Sequence, residues 1–237
     1  HVLWRAKRYG NSFKLEPEAE PPPKVALIGL RPCDLHAILI QDRVFRDRKF
    51  VDADYVARRK NTLLIVVNCT RVHETCFCAS MDGGTRAGPG ADIVITEIGR
   101  ETLRYVLEAR SDLGREVLAA CDFSPATLAE QREVAQRCQD AEDEMTKGVE
   151  RVGLTDLLYR NAENPYWEKV AKRCFACTCC TQVCPTCFCH NVVDRNSLSG
   201  DEAERERVWD SCFNEDFSYV HGGAVRHSVA SRYRQWL

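Results

Sequence analysis

The chain lacks any apolar stretch that could cross a bilayer: its longest run of branched aliphatic residues is Leu63–Val67, against the ~20 residues a helical span needs. It lacks an excess of charge of either sign, with 33 basic and 35 acidic residues and a formal charge of −2. Neither a nucleic acid nor an anionic membrane is therefore indicated as a partner. No secretory signal heads the sequence, and His1 stands where a methionine would begin a complete reading frame, so a trimmed N-terminus is expected. A phosphate-cradling motif is missing too. The glycine-rich stretch Asp82–Asp92 contains neither G-x-G-x-x-G nor G-x-x-x-x-G-K-[ST]. A turn offering backbone N–H groups to sulfur is the alternative reading of that loop.

Cysteine is what the chain has in abundance, 14 of 237 residues. Seven disulfides are disfavoured, because the cysteines crowd too closely in sequence and no export signal accompanies them. Seven of them fall in Arg173–His190, which reads R-C-F-A-C-T-C-C-T-Q-V-C-P-T-C-F-C-H. Cys174, Cys177, Cys180 and Cys184 have the spacing C-x2-C-x2-C-x3-C, and Pro185 follows. This is the bacterial ferredoxin run: a cubane cluster needs several thiolates converging from one short loop. A structural zinc site normally draws on two separated pairs. Cys179 is read as a bystander thiol.

A second group emerges from the expected fold. Val25–Leu30 reads as a strand buried on both faces, and Asp34 as the cap of a helix running to about Phe45 with Leu35, Ile38 and Leu39 inward. Leu63–Val67 reads as a further strand. Strand, helix and strand in this order predict a parallel βαβ unit. Cys33 and Cys69 follow the C-terminal ends of its strands, which share the edge where open α/β sheets bind ligands. Cys76 and Cys78 come shortly after, so all four can hold a cluster of their own. Two alternatives stay open: Cys33 and Cys69 as small buried hydrophobes, and one of Cys76 and Cys78 outside the ligand set, because C-x-C is tight for two cubane corners. His73 is a substitute ligand only if it is not simply solvated. The tetrapeptide T-C-F-C occurs at Thr75–Cys78 and again at Thr186–Cys189.

The rest is read for organisation. Residues 1–23 form a short strand or extended arm and then a Pro- and Glu-rich linker from Glu16 to Pro23. Ile93–Ile98 and Leu103–Leu107 are expected strands, and Ser111–Ala120 a helix. A polar helix capped by Ser124, with Pro125 in its first turn, is expected to run nearly to Gly148 and bridge two domains. Leu154–Tyr159 and Tyr166–Val170 are expected short helices, and Gly200–Trp209 a charged helix. Cys121 and Cys138 fit no ligand spacing and are read as structural. No catalytic base or nucleophile emerges, His36 included. The domains expected are an α/β domain over 1–122, a bridging helix over 123–150, and a mainly α-helical ferredoxin-type domain over 151–237.

Four segments together resemble a known family: G-L-R-P-C-D-L-H-A-I (Gly29–Ile38), T-C-F-C-A-S-M (Thr75–Met81), C-P-T-C-F-C (Cys184–Cys189) and V-W-D-S-C (Val208–Cys212). They are similar to the 4Fe-4S dicluster proteins. That group includes the beta subunits of cytoplasmic sulfhydrogenases and the iron–sulfur subunits of anaerobic sulfite reductases. The resemblance runs from about Leu3 to the end. It implies an electron-transfer protein with two or three [4Fe-4S] clusters at full length. It further implies a cytoplasmic complex in which the small and large nickel–iron hydrogenase subunits and a flavin/NAD(P) subunit are the partners. In that family a second cysteine run follows the position of Leu237 and a further portion precedes His1, so this chain is expected to be a piece of a longer protein. In two-cluster ferredoxins the fourth cysteine of a run serves the other cluster. Cys184 would then serve a second cluster, with Cys187, Cys189 and Cys212 as the local substitutes for missing ligands. A zinc scaffold is the alternative from a different class.

Overall fold

The computed structural model describes residues 1–17, 21–99 and 102–236. In chain order the elements are β1 Val2–Tyr9, β2 Ser12–Pro17, β3 Val25–Leu30, α1 Pro32–Phe45, α2 Ala53–Lys60, β4 Thr62–Val67, β5 Ile93–Ile98, β6 Arg104–Ala109, α3 Asp112–Ala119, α4 Leu128–Asp143, α5 Leu154–Arg160, α6 Tyr166–Ala171, α7 Cys179–Val183, β7 His190–Asn196, β8 Glu202–Trp209, β9 Tyr219–Val220, β10 Gly223–Ala224 and α8 Val229–Trp236. They divide into two units, Pro22–Val152 and a second that joins His1–Pro21 to Gly153–Leu237. The linker expected at Glu16–Pro23 falls partly outside the described residues.

The unit Pro22–Val152 is built on a four-stranded sheet in the order β3-β4-β5-β6. Strands β3, β4 and β5 run parallel, and β6 returns antiparallel to β5 from Ile93↔Ala109 to Ile98↔Arg104. Leu64 and Val66 of β4 and Val94 of β5 meet Leu35 of α1 and the loop residues Ala87 and Ala91 in one core, with Leu30, Ile38 and Leu39 against it. The βαβ expectation therefore describes the sheet. The expectation for β3 itself does not. It is an edge strand, and Ile28 is 72% exposed. An apolar run cannot tell a central strand from an edge one, because only β4 and β5 have neighbours on both sides.

Two caps also sit elsewhere than expected. Arg31, not Asp34, is the N-cap of α1; Asp34 lies at N3 and accepts from the Arg31 N–H at 2.8 Å. Helix α4 starts at Thr127, where a Thr127/Glu130 capping box satisfies two backbone donors, and it ends at Asp143 rather than near Gly148. It packs on β5 and β6 within this unit. Buried Thr85 donates to the Cys138 carbonyl at 2.7 Å, which fastens the glycine-rich loop to α4.

The second unit corrects the expectation of a mainly helical domain. Its centre is an antiparallel sheet in the order β2-β1-β8-β7. Glu202–Trp209, expected as a charged helix, is the strand β8 between β1 and β7. Its charges pair across strands instead of along a helix. Arg205 forms two 2.7 Å bonds to Asp194, Arg5 lies 2.6 Å from Glu204, and Arg205 stacks over Trp4. Each such exposed pair contributes only about 0–1 kcal/mol, so the backbone ladders on both sides of β8 carry the sheet. Gly10, at φ +60° in the first of two turn positions between Tyr9 and Ser12, gives β1 and β2 the turn chemistry of a tight hairpin. Helix α8 packs on α6, and its buried Arg232 is satisfied by the carbonyls of Phe213, Arg226 and His227.

Because β1 closes one side of β8, deleting residues 1–17 should raise amide exchange in β8 and β7 while leaving β4 and β5 as protected as before. Hydrogen–deuterium exchange read by mass spectrometry checks this.

Candidate metal centres

The parallel sheet brings Cys33, Cys69, Cys76 and Cys78 to one edge. Cys33 is in the first turn of α1, just past β3, and Cys69 lies two residues past β4. The edge is pinned by buried Asn68, which donates to Thr96 Oγ1 and accepts from the Ala87 N–H, both at 2.8 Å. The Cys69 N–H donates to the Thr85 carbonyl at 2.8 Å. The thiols feel one another electrostatically. Burial pushes Cys69 up to about 11; Arg31 opposes this, while Cys33, Cys78 and Cys76 add to it. Burial, then Asp34 and then Cys78 raise the Cys33 thiol, and burial followed by Cys76 raises Cys78.

Backbone donors already face these sulfurs. The His73 N–H donates to Cys76 Sγ at 3.3 Å, and the N–H groups of Cys78 itself, Gly84 and Ala79 favour the Cys78 thiolate. Gly84, at φ +81°, belongs to the glycine-rich loop, so that loop does turn backbone toward sulfur. Met145, just past α4, lies 4.0 Å from Cys78 Sγ. The His73 ring is engaged by Thr75 within its own loop, at 3.0 Å from the hydroxyl.

In the other unit the cysteine run folds as an irregular loop followed by the short α7. Ala176 and Thr178 hold φ of 52° and 66°. Left-handed non-glycine residues cost of order 1–3 kcal/mol each and persist where a site requires them. They stand between Cys174 and Cys177 and between Cys177 and Cys180, and they make the backbone concave, in the manner of anion-binding nests at iron–sulfur sites. The donors follow. Ala176 N–H reaches Cys174 Sγ at 3.3 Å, and the N–H and thiol of Cys179 hold Cys177 below its ordinary value. Cys179, expected as a bystander, is thus the hydrogen-bond neighbour of Cys177. The Tyr233 hydroxyl donates to Cys174 from α8, a contact that no cysteine spacing could announce.

Cys184 and Cys187 close a turn through Pro185, with the Cys187 N–H on the Cys184 carbonyl at 3.1 Å. Burial raises the Cys184 thiol, but hydrogen bonds from Thr186 and Cys187 outweigh it and the net shift is downward. Cys212 is buried and pushed up to about 11, by desolvation and then by Cys189 and Cys187. Cys138 is fully buried away from both groups, while Cys121 is exposed with its thiol 3.6 Å from the Val117 carbonyl. Among the described residues no three His, Cys, Asp or Glu side chains already close on a point as ligands of one ion. Zinc–sulfur bonds of about 2.3 Å would hold four sulfurs roughly 3.8 Å apart. A cubane caps a separate iron with each thiolate and spreads them wider, so loose groups of thiols fringed by N–H donors suit it better.

These shifts give a chemical order in metal-free protein. At pH 8 the lowered Cys177 thiol is substantially ionised, whereas Cys69 at about 11 is thiolate in about one part per thousand. Iodoacetamide should therefore modify Cys177 well before Cys69, and the gap should narrow as pH approaches 11. Peptide mass spectrometry over a pH series checks the order.

Residues 173–237 match the family model described as the 4Fe-4S dicluster domain. Sulfhydrogenase 2 subunit beta of Pyrococcus furiosus is 32% identical over 208 residues, which cover 87% of this chain and 60% of that relative, so the chain spans less than two thirds of its length. No solved structure matches. The matched domain and the crowded thiols around 174–189 identify [4Fe-4S] clusters as the cofactor. Residues 173–237 belong to the 4Fe-4S dicluster domain family, and the chain as a whole is similar to a sulfhydrogenase beta subunit.

Proposed function

We propose that the chain is an iron–sulfur electron-relay subunit of a cytoplasmic hydrogenase complex, passing electrons between the nickel–iron small and large subunits and a flavin/NAD(P) subunit. The observation that carries this reading is the cysteine run with Ala176 and Thr178 in left-handed conformation and backbone donors on Cys174 and Cys177. The beta-subunit name of the relative supports the hydrogenase over a sulfite reductase. That no helix among the described residues is long and apolar enough to cross a membrane is compatible with the cytoplasmic placement.

The residues would divide the work as follows. Cys174, Cys177 and Cys180 hold one cluster, Cys33, Cys69, Cys76 and Cys78 another, and Cys184 turns away toward Cys187. Bound there, the clusters supply reversible one-electron acceptance. The chain contributes N–H and O–H donors that offset thiolate charge, and partial burial that limits solvent access; both set potentials. Substrate chemistry is assigned to the partner subunits, since no base or nucleophile is poised in either group.

Cys177→Ser should lose about one cluster's iron and the matching EPR signal, while Pro22–Val152 keeps its fold; Cys179→Ser should keep the iron. Full iron in the Cys177 variant sinks the ligand assignment. Zinc without iron or sulfide in wild-type protein would support a scaffold instead. Tyr233→Phe removes a donor to the Cys174 sulfur. Hydrogen bonds to sulfur favour the more negative, reduced cluster, so this variant should keep its iron and show a lower midpoint potential by EPR-monitored redox titration.

A further inference from the structure

We infer that Cys184, Cys187, Cys189 and Cys212 form a four-thiolate site of their own for an iron–sulfur cluster, complete within this chain and separate from Cys174, Cys177 and Cys180. The inference rests on the reading of the cysteine run as a cluster loop, and it assigns four residues that neither the run's spacing nor the matched family model singles out as a set.

Three structural devices converge on this point. The first is the turn Cys184-Pro185-Thr186-Cys187, closed by the 3.1 Å backbone bond from Cys187 to Cys184. Pro185 fixes φ at the second position, and the turn brings the Cys184 and Cys187 thiols into hydrogen-bond contact, with Thr186 Oγ1 3.0 Å from Cys184 Sγ. The second is the open end of the β7–β8 hairpin. Cys189 immediately precedes β7, Cys212 lies three residues past β8, and the pair His190↔Trp209 with the 3.1 Å bond from Asp210 N–H to the Cys189 carbonyl aligns the two ends. The Cys189 and Cys212 thiols are hydrogen-bonded there, with Cys187 close by. The third joins the other two. Buried Thr181 of α7 and buried Ser211 are 2.7 Å apart through their hydroxyls, and Ser211 Oγ also accepts from the Phe213 N–H at 3.1 Å. The cysteine run is thereby held against the segment that delivers Cys212.

The surroundings suit thiolates that carry a bound group. Cys212 is only 5% exposed, and Phe213 beside it is fully buried under Tyr233 and Trp236 at ring separations of 5.0 and 6.1 Å. The Trp236 indole N–H donates to the Cys187 sulfur. A cysteine that merely fills space needs neither an indole donor nor three thiol neighbours; Cys138, fully buried without either, shows the plain packing case. The loose spread of the sulfurs favours a cluster over one zinc ion for the reason given above.

The test uses the chain with its native partners, purified anaerobically or reconstituted with ferrous iron and sulfide. Iron, acid-labile sulfide, zinc and the EPR spectrum of the reduced protein are measured for wild type, Cys212→Ser and Cys187→Ser. The expected result is loss of about four irons and four sulfides and of one EPR-active cluster in each variant, with the signal abolished by Cys177→Ser still present. If Cys212→Ser fails to fold, Cys187→Ser, at a partly exposed turn, gives the same reading. Full iron and an unchanged spectrum in a folded variant overturn the assignment. Loss of about one zinc without sulfide replaces the cluster by a single ion and also overturns it. Loss of both clusters together overturns the separation of the sites. Wild-type protein that takes up no iron instead overturns the cluster reading of the whole run.

Discussion

Thiolates repel one another, and a sulfur can carry charge inside a protein only where donors and a cationic partner offset what burial removes. That constraint explains why this chain treats its metal-binding cysteines so differently from Cys138. Where sulfurs gather, the backbone is bent to meet them: at Ala176 and Thr178 by left-handed non-glycine residues, and at Gly84 by a glycine. The local strain of a few kcal/mol is acceptable because the alternative is a cluster of thiolates without donors, which costs more.

The two units solve the convergence problem by different means. A parallel sheet places successive strand ends on one edge, so Cys33 and Cys69, far apart in sequence, become neighbours, and one loop adds Cys76 and Cys78. An antiparallel hairpin does the same with its own two ends, as at Cys189 and Cys212. Between these stands the contiguous loop of Cys174 to Cys180, which needs no sheet. The repeated T-C-F-C takes part in both of the sheet-built groups, at Cys76–Cys78 and Cys187–Cys189, while the contiguous loop does without it.

How much of this the sequence discloses depends on the range of the forces involved. The βαβ order is legible because apolar runs, a helical repeat and their succession are local signals. The edge position of β3 is not, since the run Val25–Leu30 reads the same whether one or two strands flank it. Strand β8 reads as a helix because E-A-E-R-E-R shows no apolar period of two. Its partners are charges on β7 and on β1, and 199 residues separate Arg5 from Glu204. That same distance hides the membership of the N-terminal hairpin in the unit that holds the cysteine run. The ferredoxin spacing is plain, and it also misdirects. It groups Cys184 with Cys174, whereas the turn through Pro185 faces Cys184 toward Cys187.

Helix α8 is the element that cysteine counting could least anticipate. Tyr233 and Trp236 are three residues apart and so share a face of the helix. One donates to Cys174, the other to Cys187, and both pack on Phe213. A single rigid surface therefore supplies one donor to each of two sulfur groups, and the buried Arg232 of the same helix ties that surface to the Phe213 carbonyl next to Cys212. Because a donor at sulfur favours the reduced state, the position of α8 bears on both groups in the same sense. Any displacement of this helix would weaken both bonds together and make both groups harder to reduce, so the driving force between them would change less than either potential alone. A relay needs that property more than it needs any particular potential, since electrons must still step from one carrier to the next when the surroundings shift.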